Sequence, residues 1–284
     1  MADDAGSSRN DLMVDELVRR GVIRRAEVEA AFRAVPRHWF LPGVDEHEVY
    51  RGRVVATHWD AEGLTSSASE PAIMARMLEQ LAPRPGDAVL EIGAGTGYNA
   101  ALLATLVGAT GGVVTVDIDP EVTAEAARNL AAAGFDAVDV RAVDGWEPAG
   151  PHGAFDRILV TASVWDLAPA WLDELAPDGV LVSPLWLHRG QQASVELHRH
   201  GVGLRSRSIE PCGFIPLRGA GAVPPGAVAA DGWVGPRWDR LVVDVVPAAA
   251  VPSLDETATV GALAVLQRPH CTYVIWDRGT RWGT

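Results

Sequence analysis

The chain has 284 residues, 48% of them hydrophobic, with a formal net charge of −13 and no lysine. That is enough to bury a full core, and an acidic surface without an Arg-rich run repels phosphate backbones, which excludes nucleic acid as a partner. A polar start and the lack of a long apolar run exclude a signal peptide and a membrane span, so the expected location is the cytoplasm; Cys212 and Cys271, far apart, give neither a disulfide framework nor a zinc spacing.

Leu12, Val14, Leu17 and Val18 form an apolar face before Gly21, and Val28, Ala31 and Phe32 repeat the spacing up to Pro36. The pattern predicts two short helices between Leu12 and Ala34. From Trp39 to Ser69 the chain carries Pro42, Gly43, Gly52 and Gly63 and is expected to be an irregular surface connection. Pro71 then opens a helix over Ala72 to Leu81, with Ser69 nearby as a candidate cap.

After Asp87 short apolar runs alternate with helices. Strands are expected at Ala88–Ile92, Val113–Val116, Val138–Ala142, Arg157–Val160 and Gly179–Val182. The intervening helices run to about Leu106, from Pro120 to Ala133 and from Leu167 to Leu175. This alternation implies a parallel sheet covered on both faces, a doubly wound, Rossmann-like α/β domain. Strands near Ser194–Leu197 and Arg205–Ile209 are expected to complete it in antiparallel fashion. Gly219 to Gly235 looks like a linker, with further strands at Leu241–Val246 and Thr272–Trp276. Three parts follow: N-terminal helices and a substrate-side loop (1–80), a cofactor-binding core (81–219) and a C-terminal extension (220–284). Packing on the main sheet or binding a peptide would each account for Trp233, Trp238, Trp276 and Trp282 in the extension.

The strongest motif is Val89-Leu-Glu-Ile-Gly-Ala-Gly-Thr-Gly-Tyr98. A glycine turn between a buried strand and a helix lets backbone approach a ligand closely. A dinucleotide site wants Gly-x-Gly-x-x-Gly, but here Tyr98 stands where the last small residue would fall, and Glu91 fits poorly beside a pyrophosphate. S-adenosyl-L-methionine (SAM) has an ammonium and a carboxylate but no phosphate. Gly93, Ala94, Gly95 and Gly97 are expected to pass beneath its methionine part while Glu91 helps fix the amino group. Asp117, followed by Ile118, ends the second strand about 20 residues after the turn and suits ribose hydroxyls. Asp144 and Gly145 follow the third strand, where a carboxylate can accept the adenine amino group.

Four pieces of the chain carry a resemblance to the protein-L-isoaspartate O-methyltransferase family, spanning about Leu12 to Gly219. They are Ala34-Val-Pro-Arg-His-Trp-Phe-Leu-Pro42, Ser67-Ala-Ser-Glu-Pro-Ala-Ile-Met-Ala-Arg-Met-Leu-Glu79, the glycine loop with Phe155-Asp-Arg-Ile-Leu-Val-Thr-Ala162, and Phe214-Ile-Pro-Leu-Arg-Gly219. The glycine loop is common to many methyltransferases; the Ser-x-Pro helix entry and the Phe-x-Pro-Leu ending are more particular. The resemblance implies that Ser69 matches the family's active-site serine, with Ser67 where threonine is frequent and Ala68 replacing a typical isoleucine. Thr161 joins the cofactor set, and Arg218 the candidate substrate contacts together with His58 and Asp60 of the connection. The implied donor is SAM, leaving S-adenosyl-L-homocysteine (SAH).

A carboxylate, with a pKa near 4, is already a nucleophile at neutral pH and needs no general base. Methyl transfer to it requires in-line placement and exclusion of water. An amine-directed enzyme would carry an Asn/Asp-Pro-Pro-aromatic loop, whereas this chain has Val160-Thr-Ala-Ser-Val-Trp165. The expected partner is a peptide or protein bearing aspartate or isoaspartate, and the sequence leaves the oligomeric state open. The ordinary repair enzyme of the family is expected to stop near the Phe-x-Pro-Leu element, yet this chain runs 65 residues past Gly219 (284 − 219). With the departure at Val54–Leu64, this favours a specialised member that modifies a ribosomally made peptide through an ester and then a succinimide. General isoaspartate repair and a non-catalytic SAM- or peptide-binding protein are the alternatives.

Overall fold

Helix α1 (Ala2–Arg19) starts well before the apolar pattern that announced it and packs against α2 (Ala26–Ala34). Tertiary contacts hold the helix at its middle. Buried Asn10 donates to the Phe32 carbonyl at 2.8 Å and accepts from the Arg37 amide at 3.4 Å. The computed structural model describes residues 2–151, 153–188, 191–201, 203–222, 241–247, 264–267 and 271–277. They fall into two compact units, Met1–Gly145 and Trp146–Thr284.

In the first unit, the stretch expected to be irregular is instead ordered. A 3-10 turn (Arg37–Phe40) and the short α3 (Glu46–Val49) lead into an antiparallel hairpin of β1 (Val55–Asp60) and β2 (Gly63–Ala68). The signal lay in the turn: Asp60 Oδ1 accepts from the amides of Glu62 and Gly63 at 2.8 and 3.1 Å, closing an Asx-type turn. Ala68 joins a small core with Leu41, Val49 and Val55. α4 (Pro71–Leu81) buries Met74, Met77, Leu78 and Leu81 and ends at left-handed Ala82.

Parallel strands β3 (Ala88–Ile92), β4 (Gly112–Asp117) and β5 (Asp139–Ala142) follow, linked by α5 (Tyr98–Val107) and α6 (Pro120–Ala132). α5 is apolar almost all round and buried accordingly. In α6 the Asp119 side chain caps the helix by accepting from the Glu121 amide, with Pro120 in the first turn.

The second unit pairs β6 (Phe155–Val160) in parallel with β7 (Leu175–His188) across the short α7 (Pro169–Glu174). The strand expected at Gly179–Val182 is therefore one long strand. Antiparallel β8 (Gln191–His200) and β9 (Gly203–Cys212) extend it, as the sequence indicated. β10 (Leu241–Pro247) then pairs with β9 and with β12 (Cys271–Asp277), which also holds β11 (Ala264–Gln267). The expected linker shows a 3-10 turn at Gly219–Gly221, and most of it lies outside the described residues, as do Trp233, Trp238 and Trp282. No helix among the described residues is long and apolar enough to cross a membrane.

Candidate active site

The glycine turn hangs on the end of β4. The amides of Gly93 and Ala94 both donate to the Val116 carbonyl, at 2.8 and 3.1 Å. Gly93, Gly95 and Gly97 have φ of 103°, 51° and 85°, in the left-handed region that favours glycine. At Gly97 a second constraint applies, since a Cβ there would lie 3.0 Å from Leu130 Cγ and 3.1 Å from the Ala126 carbonyl. Its absence lets α5 begin hard against α6. Asn129 of α6 adds a bond to the Thr96 carbonyl at 3.0 Å and so pins the turn from behind.

Glu91 lies fully buried beneath this turn. It stands directly across the strand register from Thr115, whose hydroxyl donates to Oε2 at 2.7 Å, and Asn99 Nδ2 donates to Oε1 at 2.7 Å. Burial pushes its pKa up to about 7 and the charge of Asp117 adds to this, while the bonds from Thr115 and Asn99 pull the other way. Glu91 thus braces the turn through its neighbours. Asn99 and Thr115 escaped the sequence reading, although each is a polar residue inside an apolar run.

The two acids come into line through the backbone. Asp117 follows Val116, the residue that carries the glycine turn, and its own carbonyl accepts from Val143 at 3.0 Å, just before Asp144. Asp117 Oδ1 accepts from the Asp119 amide at 3.1 Å and is half-buried, as is Asp144. Ile118 and Val143, beside these acids, leave 37% and 41% of their surface exposed. Gly145 is buried so close to Ile92 that a side chain there would collide with it. A wall without Cβ atoms, a buried acid below and two acids flanked by apolar side chains suit a nucleoside joined to a cationic group.

Ser67 and Ser69 stand on either side of Ala68. Within β2, Ala68 turns into the core and Ser67 points the other way; Ser67 and Ser69, the latter just past the strand, are both half-buried. A Cβ at Gly95 would lie 3.7 Å from the Ser67 carbonyl oxygen, so this segment faces the glycine turn. The N-cap of α4 is Glu70, without a side-chain cap bond. Ser69 is therefore not the cap that the sequence allowed. Arg37, which the sequence reading passed over, donates from Nη2 to the Ala68 carbonyl at 3.2 Å.

The hairpin residues proposed as substrate contacts have other partners. His58 Nε2 lies 3.3 Å from Glu125 on α6, and Asp60 holds its own turn and is exposed. In the second unit, Thr161 follows β6 and is half-buried, and so is Arg218. Their segments run side by side: Ser163 donates its amide to Ile215 at 2.9 Å and accepts from Leu217 at 2.8 Å. Gln192 holds the same segment, accepting from the Phe214 amide at 2.6 Å and donating to its carbonyl at 3.1 Å. Cys212 is a free thiol that burial pushes up to about 12.

The strand–glycine turn–helix unit, the acids after β4 and β5 and the mixed sheet of the second unit define an α/β fold of the SAM-dependent methyltransferase class. Residues 8–221 match the profile of the protein-L-isoaspartate(D-aspartate) O-methyltransferase family. The chain is 37% identical over 217 residues to a protein-L-isoaspartate O-methyltransferase of Methanopyrus kandleri, covering 73% of this chain and 90% of that one. Over 229 residues it is 40% identical to one of Methylorubrum extorquens, covering 78% and 93%. A solved protein-L-isoaspartate O-methyltransferase superposes with a TM-score of 0.67 at 28% identity, over 75% of this chain and 67% of that one. A Plasmodium falciparum chain of the same description, in complex with SAH, superposes with 0.63 at 19% identity, over 74% and 98%, and supports the fold. This chain belongs to the protein-L-isoaspartate O-methyltransferase family.

Proposed function

We propose that the protein is a SAM-dependent carboxyl O-methyltransferase that esterifies an aspartate or isoaspartate carboxylate in a peptide or protein. The observation that carries this reading is the approach of the glycine turn to the Ser67–Ser69 segment, with Gly95 facing the Ser67 carbonyl. Bound SAM supplies an electrophilic methyl group on a sulfonium. Gly93, Gly95 and Gly97 give backbone room for the methionine part, and the acid of Glu91 below complements its positive charge. Asp117 accepts from the ribose, and Asp144 from the adenine amine. Ser67 and Ser69 orient the acceptor carboxylate by donating hydrogen bonds, which leaves its charge intact. One carboxylate oxygen forms a bond to the methyl carbon as the sulfur–carbon bond breaks; the sulfonium becomes the thioether of SAH, and no proton moves.

The resulting methyl ester carries a better leaving group, its methoxy group, than the free carboxylate does. A neighbouring backbone amide nitrogen, losing its proton, displaces methanol and closes a succinimide, which water opens to aspartate or isoaspartate. For the natural acceptor, the reading carried over from the sequence is a ribosomally made peptide. It is supported by β10, β11 and β12, which lie beyond the family match at residue 221 and continue the sheet from β9. On this reading the 220–284 extension, with Arg218, offers a surface for that peptide. The second reading, general repair of isoaspartyl proteins, is favoured by the 90% and 93% that the chain covers of two relatives named protein-L-isoaspartate O-methyltransferase. Mass gain on generic isoaspartyl peptides, compared with that on a precursor peptide from a neighbouring gene, separates the two. Rapid turnover of the generic peptides would overturn the specialised reading.

A further inference from the structure

Arg37 is 0% exposed, and among the described residues no carboxylate pairs with it. Its Nη2 donates to the Ala68 carbonyl at 3.2 Å, its Nη1 reaches only Met74 Sδ at 3.9 Å, and its Nε has no partner. The guanidinium lies 5.6 Å from the centre of the Tyr98 ring, and the Tyr98 hydroxyl, also buried, has no partner either. Burial lowers the Arg37 pKa, with Tyr98 and Tyr50 the groups that oppose this.

A cation taken out of water with only a carbonyl, a thioether and a ring face for company is costly. Bracing Ala68 alone would not require it, because a neutral amide could donate the same bond. The location shows what is missing. Ala68 separates Ser67 from Ser69, and Tyr98 is the first residue after the glycine turn, so the charge sits behind the wall where these two segments meet.

We propose that Arg37 is a positioning residue whose buried charge selects an anionic acceptor, the substrate's side-chain carboxylate being the counter-ion that the fold itself lacks. The inference rests on the carboxyl-methylation reading. It adds a source of acceptor specificity that the serines, which bond equally well to a neutral amide, do not supply. An opposite charge within about 4–6 Å shifts a protonation or binding equilibrium by roughly tenfold to a thousandfold.

The test titrates the SAH-loaded wild-type protein with an isoaspartyl peptide and with the same peptide carrying a primary amide in place of that free carboxylate. The acid is expected to bind at least about tenfold more tightly. Arg37→Gln keeps a donor for Ala68 but loses the charge, and should bring the two peptides to near parity; Arg37→Lys should keep the preference. SAH affinity and the melting transition report whether each variant is folded. Should neither fold, the wild-type pair decides: a strong preference for the acid supports the proposal, and equal binding overturns it. A full preference retained in folded Arg37→Gln overturns it as well. Methyl transfer to the isoaspartyl peptide, measured in parallel on wild-type protein, separates the premise from the inference. Its absence counts against the acceptor class, whereas transfer with an unaltered preference in Arg37→Gln counts against Arg37 alone.

Discussion

A side chain at Gly95 would start 3.7 Å from the carbonyl oxygen of Ser67, an ordinary van der Waals contact. The glycine turn and the serine segment thus lie against one another. β2 delivers Ser67 on the side of Ala68 that faces away from the core, with Ser69 just past the end of the strand. Ser69→Ala should remove an orienting bond from the acceptor and leave the donor's cradle untouched. The expected loss in kcat/KM is about 1–2 kcal/mol, roughly fivefold to thirtyfold, with SAM affinity unchanged. Calorimetry for SAM and initial rates on an isoaspartyl peptide measure the two effects separately. Full activity would remove Ser69 from the acceptor site.

Glu91 gives a prediction about stability with a definite sign. Its folded pKa, about 7, lies above the 4.5 of an ordinary glutamate. The unfolded chain therefore loses this proton first as pH rises, and stability falls between about pH 4.5 and 7, then levels off. Glu91→Gln should flatten that part of the curve and raise stability at pH 8 by about 1–3 kcal/mol. The amide has a ready acceptor in Asn99 Oδ1, which is buried without a partner. The same change removes a negative charge under the turn, so affinity for SAM should fall. Denaturant melts at pH 5 and pH 8 check the sign. A variant less stable at pH 8 than the wild type would contradict the account.

Asp117 is held by the backbone at both ends, through Val116 to the glycine turn and through its own carbonyl to Val143. Its side chain is thereby fixed beside Ile118 at the end of β4. Asp117→Ala should weaken SAM binding by about 1–3 kcal/mol, the cost of leaving a partly buried hydroxyl donor unmet. An unchanged dissociation constant in calorimetry would take Asp117 out of the site.

The parallel strands and their helices were legible because buried strands leave short apolar runs, and Pro120 and Asp119 announce a helix start. The glycine turn was legible because its three glycines have no alternative with positive φ. The hairpin was not, since β1 and β2 are mostly exposed or half-buried and offer no clean alternation; only the Asp60 turn marked it. His58 and Asp60 resembled free polar residues of a loop, and their engagement with Glu125 and with the turn needed the folded register. Arg37 was hidden for a different reason. Burial of a charged residue goes against its type, so composition gives no warning of it. Thr115 and Asn99 were similarly masked, because their contact with Glu91 joins a strand and a helix that sequence spacing does not relate.

The central claim is that a sulfonium methyl group held at the glycine turn passes to an already ionised acid beside Ser69. Isotopically labelled SAM, an isoaspartyl peptide and the intact protein test it most directly. The account predicts one label per peptide, released as methanol by mild base, with a succinimide left behind. Label retained after base treatment, on nitrogen, would contradict it.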